Sequence, residues 1–556
     1  MDVHSLTPDV SVSPQISVAD VSTLQTLGYR SIVSHRPDAE APDQPNFEEI
    51  AQAAKAVGLK AVHQPVPAGQ ASDRQTAAFA ALLAELPKPV LAYCRTGTRS
   101  ATLWALSQAN TLSVAEIERT AAKAGYELKA VVRRIANAGK VPPGVVEAEH
   151  TVVIVGGGAA GIAVASSLRA RDPSLDIAIL DPADVHYYQP GWTLVGAGVF
   201  DSADTARTMA SRVPRGVRWL KAAVVSFEPD SHAVVLEGCR RVRYQRLVVC
   251  PGIKVDWHGV DGLVNTLGRN GVTSNYRFDL APYTAELVKA LRGGKALFTQ
   301  PPMPIKCAGA PQKAMYLSCD TWRRNGTLHN TQVQFFNAGA ALFGVPDYVP
   351  ALMKYVETYG IDLRFGHTLK SIDGPRRRAV FEHALPDGSR ETVETDFDMI
   401  HVVPPQTAPD FVRVSPLADV AGWIDVDAGT LRHKRYEHIY ALGDATSTTN
   451  AKTAAAARKQ APVVAHNVLA SLGRASGLAT YDGYGSCPLT VERGKVVLAE
   501  FRYGGMVAPS FPAWLLDGTR PSRLAWFLKE RILPPLYWDG MLKGREWLAR
   551  PALDDR

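Results

Sequence analysis

At 556 residues, 46% hydrophobic and 21% charged, the chain has room for about three domains with sizeable cores and is too apolar to be disordered. A formal net charge of +7, spread without a basic tract, argues against a nucleic-acid binder and at most favours small anions or an anionic surface. Six scattered cysteines with no close CxxC pair argue against a disulfide scaffold and a zinc site, the start lacks the order of a secretory signal, and no apolar run reaches the ~18 residues of a spanning helix.

Residues 18–140 alternate helix-like and strand-like segments and end in closing helices, which predicts a first α/β domain over 1–140. Within it, "VLAYCRTGTRSATLWAL" reads strand, tight loop, helix, with the loop at Cys94-Arg95-Thr96-Gly97-Thr98-Arg99-Ser100. Gly97 lets the backbone curl so that several N–H groups point at one spot, and the helix adds its positive end. Such a place favours a thiolate at Cys94, and Arg99 is expected to hold an oxyanion through two hydrogen bonds. Asp43 and Asp73 are the loop candidates for an acid. "HRPDAE" (35–40) and "CRTGTRS" (94–100) resemble the phosphatase-like domain fused to β-lactamase-like hydrolases, over about residues 5–110. Cysteine phosphatases place five residues between Cys and Arg. The four here resemble rhodanese-type sulfurtransferases, whose cysteine carries a persulfide, so phosphatase and sulfurtransferase both stay open.

"KVPPGVVEAEH" reads as a linker over 141–150, and a second α/β unit opens at Thr151. "TVVIVGGGAAGIAVASSLRARDPSLDIAILD" is strand, GxGxxG turn at Gly156, Gly158 and Gly161, small-residue helix, then strand ending in Asp181 twenty residues on. Turn, pyrophosphate approach, helix packing and a ribose-binding carboxylate are all in register for a dinucleotide. "YQRLVVCPG" (244–252) and "YEHIYALGDAT" (436–446) match the later motifs of two-dinucleotide flavoproteins, which makes the cofactor FAD. The expected cofactor set is Gly156, Gly158, Ala159, Gly161, Asp181, Val224, Pro251, Gly252, Gly443, Asp444 and Lys452, the last near the anionic edge of the reduced flavin.

Between these motifs no intact second GxGxxG occurs, and "FNAGAALFGVPDY" (336–348) has misspaced glycines. A nicotinamide donor is therefore not indicated, and the donor is expected to react through Cys307. Cys250, Cys239 and Cys319 read as passive. The tail from 476 is a further region. Residues 514–551 hold four of the ten Trp, with seven basic against four acidic residues. Trp526, Phe527, Leu528, Ile532 and Leu533 among Arg523, Lys529 and Arg531 predict a peripheral, monotopic membrane face.

Seven segments in order, "YYQPGWTLVGAG", "GVTSNY", "PIKCAGAPQKAMYLS", "LFGVPDY", "HVVPPQTAPD", "AGWIDVDAGTL" and "YDGYGSCPL", resemble sulfide:quinone oxidoreductases over about residues 150–548. The resemblance implies that Cys307 and Cys487 are the redox pair beside the FAD. Hydrosulfide would open their bridge, a quinone entering through the membrane face would take the electrons, with Phe501, Tyr537 and Trp538 as its candidate contacts, and sulfite, a small thiol or Cys94 would take the sulfur. The fold expected is an N-terminal phosphatase/rhodanese-like α/β domain, a two-Rossmann FAD oxidoreductase over 151–475, and a membrane-associating region over 476–556. The enzyme is placed at the cytoplasmic side of the membrane, with a homo-oligomer as a further expectation. A nicotinamide:quinone reductase fused to a phosphatase is the second reading, and a non-catalytic redox sensor the third.

Overall fold

A computed structural model describes residues 2–40, 44–67, 71–128, 131–141, 148–237 and 240–554. The first domain is a five-stranded sheet in the order His4–Thr7, Val10–Ser13, Val90–Tyr93, Ser31–Ser34, Lys60–His63. Its three central strands are buried at every position, so they are read by continuous hydrophobicity and not by alternation. Helices Asp73–Glu85 and Val114–Lys123 start on capping boxes at Ser72 and Ser113, which satisfy the free amides of the first turn.

The second sheet runs Val217–Leu220, Ile177–Leu180, Ala148–Val155, Arg240–Val249, Ala233–Leu236, Val224–Glu228, with Ile439–Ala441 also parallel to Arg240–Val249. Its first strand starts at Ala148, inside the expected linker; 142–147 lie outside the described residues. Helix Ala159–Arg171 is buried from Ala160 to Leu168, because small residues let it press between the sheet and helix Ala454–Ser471. The third sheet is parallel throughout: Val272–Thr273, Met399–His401, Gly294–Gln300, Thr331–Asn337, Asp362–Phe365. Two Rossmann-type units thus stand side by side.

The described part of the C-terminal region, 476–554, packs on both Rossmann units. Hairpin Gly485–Glu492/Lys495–Phe501 shares a core with helix Ala310–Arg324 through Cys487, Leu489 and Val497, and Tyr537, Trp538 and Leu542 join the core of the first Rossmann unit. No helix among the described residues is long and apolar enough to cross a membrane.

Candidate active site

One cavity of about 1800 Å³ crosses the chain between the two Rossmann units and reaches the first domain. At one end the glycine turn forms its wall. Gly156 has φ +104°, and a Cβ on Gly161 would lie 1.8 Å from Gly156 O, so both are held to glycine by the turn itself. Gly158 and Ala159 line the cavity, and the space beside Gly158 is open, leaving the helix N-terminus accessible to a pyrophosphate. Asp181 accepts from Gly157 N at 2.6 Å and Ala183 N at 2.8 Å; burial raises its pKa. Pro251, Gly252, Gly443 and Asp444 line the same space. Val224 does not: it packs into the core on the far side of the sheet, because its strand is an edge strand remote from the turn.

Lys452 lines the same space. Its ammonium donates to Asp444 O (2.8 Å) and Thr446 O (3.0 Å) and sits 4.2 Å from the centre of the Trp423 ring. Burial lowers its pKa to about 8. Two carbonyls hold its ammonium at the cavity wall, while Lys452 O accepts from Cys307 N at 2.8 Å and ties the cysteine loop to the helix start.

That loop fills the first strand-to-helix turn of the second Rossmann unit, between Gly294–Gln300 and Ala310–Arg324, where a nicotinamide loop would otherwise lie. Cys307 takes a left-handed backbone, φ +51°, an uncommon state for a residue with a side chain. Its Sγ lies 3.6 Å from Cys487 Sγ, across 180 residues of sequence. Gly309 makes this possible: a Cβ there would lie 2.5 Å from Cys487 Sγ and 2.4 Å from Leu489 Cδ2.

The two thiols differ. Cys307 is held well below the usual thiol range, first by the hydrogen bond that Cys487 donates and then by the Lys313 ammonium 3.2 Å away, against the cost of burial. Cys487, as donor and fully buried, is pushed well above it. Cys307 lines the cavity and Cys487 does not, although its neighbours Ser486 and Pro488 do. Two further lysines reach this place. Lys306 carries its ammonium to Gln189 Oε1 and over the Trp192 ring. Lys529 is 3% exposed, donates to Pro190 O at 3.0 Å, and has its pKa lowered to about 7, by burial first and by the Lys313 charge second. Sequence reading placed Lys529 on a basic membrane face; the short helical segment that carries it turns it inward instead. Cys250 is a buried thiol facing Gly156 O, and burial raises its pKa; Cys319 lies in the core. Cys239 lies outside the described residues.

The tail covers the other limb of the cavity with Leu528, Ile532, Leu533, Leu536 and Tyr537. His186 Nδ1–H donates to Gly157 O (3.1 Å), so its Nε2 accepts from Tyr537 Oη (2.6 Å), linking tail and glycine turn. Phe501 and Trp538 do not line the cavity. Phe501 packs edge-on against Phe343, and Trp538 lies beneath Arg207 and Arg212. Trp526 is buried as well, whereas Phe527 is 52% and Trp514 85% exposed.

In the first domain, Cys94 is buried at the end of Val90–Tyr93, and Gly97 (φ +82°) caps helix Thr98–Ser107. Arg99 is already engaged. Nη1 donates to His35 O (3.2 Å) and Val66 O (2.7 Å), and Nη2 to Glu40 (2.7 Å), which also binds Arg36. Nε–H and the second Nη2 hydrogen are left for an oxyanion among the described residues, since each Nη1 hydrogen has a carbonyl. Asp73 is removed from this site by Arg134 (2.9 Å) and Val141 N, and Asp43 lies outside the described residues. Arg95, Thr96 and Thr98 border the large cavity.

Glycine turn, paired thiols and twin Rossmann units define a disulfide oxidoreductase of the two-dinucleotide class. The pyridine nucleotide-disulphide oxidoreductase family matches residues 150–288, and the phosphatase-like domain of beta-lactamase hydrolase-like proteins matches 2–111. A mitochondrial sulfide:quinone oxidoreductase of Dictyostelium discoideum is 40% identical over 448 residues, 77% of this chain and 96% of that one. One of Mus musculus is 35% identical over 395 residues, 71% of this chain and 87% of that one. The chain belongs to the sulfide:quinone oxidoreductase family. A beta-lactamase hydrolase-like protein of Agrobacterium fabrum is 32% identical over 126 residues, 22% of this chain but only 29% of that one. The crystal structure of a sulfide:quinone oxidoreductase from Aquifex aeolicus shares the fold, with a TM-score of 0.60 at 17% identity over 73% of this chain and 98% of that one.

Proposed function

We propose that the chain oxidises hydrosulfide and passes the electrons to a quinone, with FAD in the cavity between the Rossmann units. The single observation that carries this reading is the pair of Sγ atoms 3.6 Å apart, with Lys313 on the one that faces the cavity. Bound there, FAD supplies a two-electron acceptor for thiolate and a two-electron donor for quinone. Gly158, Ala159 and the helix N-terminus would hold its pyrophosphate, and Asp181 its ribose.

With the thiols bridged, hydrosulfide attacks Cys487. The S–S bond breaks, Cys487 carries the new persulfide, and Cys307 leaves as thiolate. Lys313 stabilises that thiolate at the cavity wall, and the ammonium groups of Lys306 and Lys529 favour entry of an anion. An acceptor then takes the outer sulfur from Cys487. The two thiols close again as two electrons and one proton leave them. In steady state, sulfide-dependent reduction of a soluble quinone is expected in the wild type and lost in Cys487→Ser; retention in that variant overturns the reading.

Two finer statements belong to this proposal. Cys94 accepts sulfane sulfur, supported by its loop bordering the cavity that Cys307 faces. The exposed Trp514, Phe527, Ile532, Trp547 and Leu548 rest peripherally on the cytoplasmic face of a membrane, supported by Ile532, Trp547 and Leu548 also lining the cavity, which gives quinone a path from lipid.

A further inference from the structure

The Cys94 loop is covered by a segment that follows helix Val114–Lys123 of the first domain. There Tyr126 brings its hydroxyl onto the loop: a Cβ on Gly97 would lie 2.0 Å from Tyr126 Oη. Tyr126 is 3% exposed, and its hydroxyl has no hydrogen-bond partner among the described residues. A buried hydroxyl without a partner is costly and calls for an explanation, such as a group that arrives during function. Burial raises its pKa, and the charge of Cys94 raises it further, so the phenol keeps its proton and acts as a hydrogen-bond donor.

The flavoprotein part of the chain sets where that hydroxyl points. His258 Nε2–H donates to Gly125 O at 2.8 Å, and its ring lies 4.9 Å from the Tyr126 ring, with His4 edge-on at 5.7 Å. Gly125 (φ +83°) is shaped for this approach, since a Cβ there would lie 2.5 Å from His258 Cε1 and Val264 Cγ1. His258 follows the short ladder Lys254–Val255/Gln406–Thr407, and Gln406 Oε1 accepts from Lys306 N at 2.8 Å, beside Cys307. One two-stranded ladder therefore braces both thiol sites.

We propose that His258, through Gly125, positions Tyr126 as the hydrogen-bond donor to sulfur held on Cys94, so that the sulfur-accepting site is complete only in the fused chain. The proposal rests on Cys94 as acceptor. The substrate class is the persulfide of a small thiol diffusing through the shared cavity. The Cys94 thiolate attacks the outer sulfur and the carrier's S–S bond breaks. The carrier leaves as thiolate and Cys94 keeps the sulfur as a persulfide, with no net oxidation. Tyr126 donates to the charge on the terminal sulfur while keeping its own proton.

The test uses the full-length holoprotein and glutathione persulfide, with Cys94 persulfide read by quenched-flow peptide mass. Flavin absorbance and melting temperature serve as folding controls. Tyr126→Phe is expected to lower the maximal rate by about tenfold or more, as for loss of a hydrogen bond to a charged group, with half-saturation unchanged. His258→Phe keeps the ring and loses the donor, and should match Tyr126→Phe. His258→Gln, whose amide N–H reaches the same carbonyl, should restore the rate to near wild type. Wild-type rates in Tyr126→Phe, or equal rates in the Phe and Gln variants at 258, overturn the inference and leave Cys94 as acceptor. The acceptor reading is tested apart, by labelled sulfide on Cys94→Ser: unchanged sulfur products remove that reading and this inference with it.

Discussion

Replacing Lys313 by Met keeps most of the side-chain volume and removes the charge beside Cys307 Sγ. At the observed 3.2 Å and an effective dielectric near 20, two unit charges attract by about 5 kcal/mol before desolvation is subtracted. Hydrogen bonds to charged groups retain about 1.5–3 kcal/mol net. The Cys487 hydrogen bond, the larger support of the thiolate, remains in the variant. At ~1.4 kcal/mol per factor of ten, the thiolate population of Cys307 should fall by about 10- to 100-fold below its titration midpoint. The assay is iodoacetamide modification of the reduced holoprotein across pH, with the Cys307 peptide quantified by mass. A parallel fall in the sulfide-driven rate is expected. Equal modification rates in Lys313→Met and wild type at every pH would show that the ammonium does not hold the thiolate, and the assignment of Cys307 as leaving group would lose its basis.

Lys529 titrates near 7 in the folded chain against an ordinary 10.5. The folded chain then binds fewer protons than the unfolded one between these values, so stability rises with pH from about 7 to 10.5 and the cost is fully present below 7. Lys529→Met should flatten that rise, read by urea unfolding at pH 6.5, 8 and 9.5; an unchanged slope contradicts the buried placement. Gly309→Ala should part the two sulfurs and lower sulfide turnover by about 100-fold while flavin content holds, since misplacement near 1 Å has that order of effect. Normal turnover would mean the contact at Gly309 is not needed. Phe527→Glu with Trp547→Glu should weaken binding to anionic lipid vesicles and slow turnover with a lipid-embedded quinone, with the water-soluble quinone rate retained. Equal vesicle binding sinks the membrane face.

Local spacing is what sequence carries well. The glycine turn, its helix and Asp181 lie within one βαβ unit, and the Cys94 loop directly joins its strand to its helix, so both are readable from residue types alone. Cys307 and Cys487 are brought together by a hairpin packing on a helix, and only the resemblance paired them in advance. Side-chain direction was the weakest link. Val224 follows a cofactor-side segment in sequence yet packs away from the cavity, and Lys529 sits among exposed aromatics yet points inward. Lys313 was within reach of sequence reasoning, as a base in the first turn of the helix that Cys307 precedes. Tyr126 and His258 were not: their meeting depends on how two domains dock, which no periodicity encodes.

The account's central claim is that electrons enter through the Cys307–Cys487 pair and not from a nicotinamide. Anaerobic stopped-flow on the flavin absorbance tests it directly. Sulfide should bleach the wild-type flavin rapidly, NADH should leave it oxidised, and Cys307→Ser should remain oxidised with sulfide. Rapid bleaching by NADH, or bleaching of Cys307→Ser by sulfide at the wild-type rate, would contradict it.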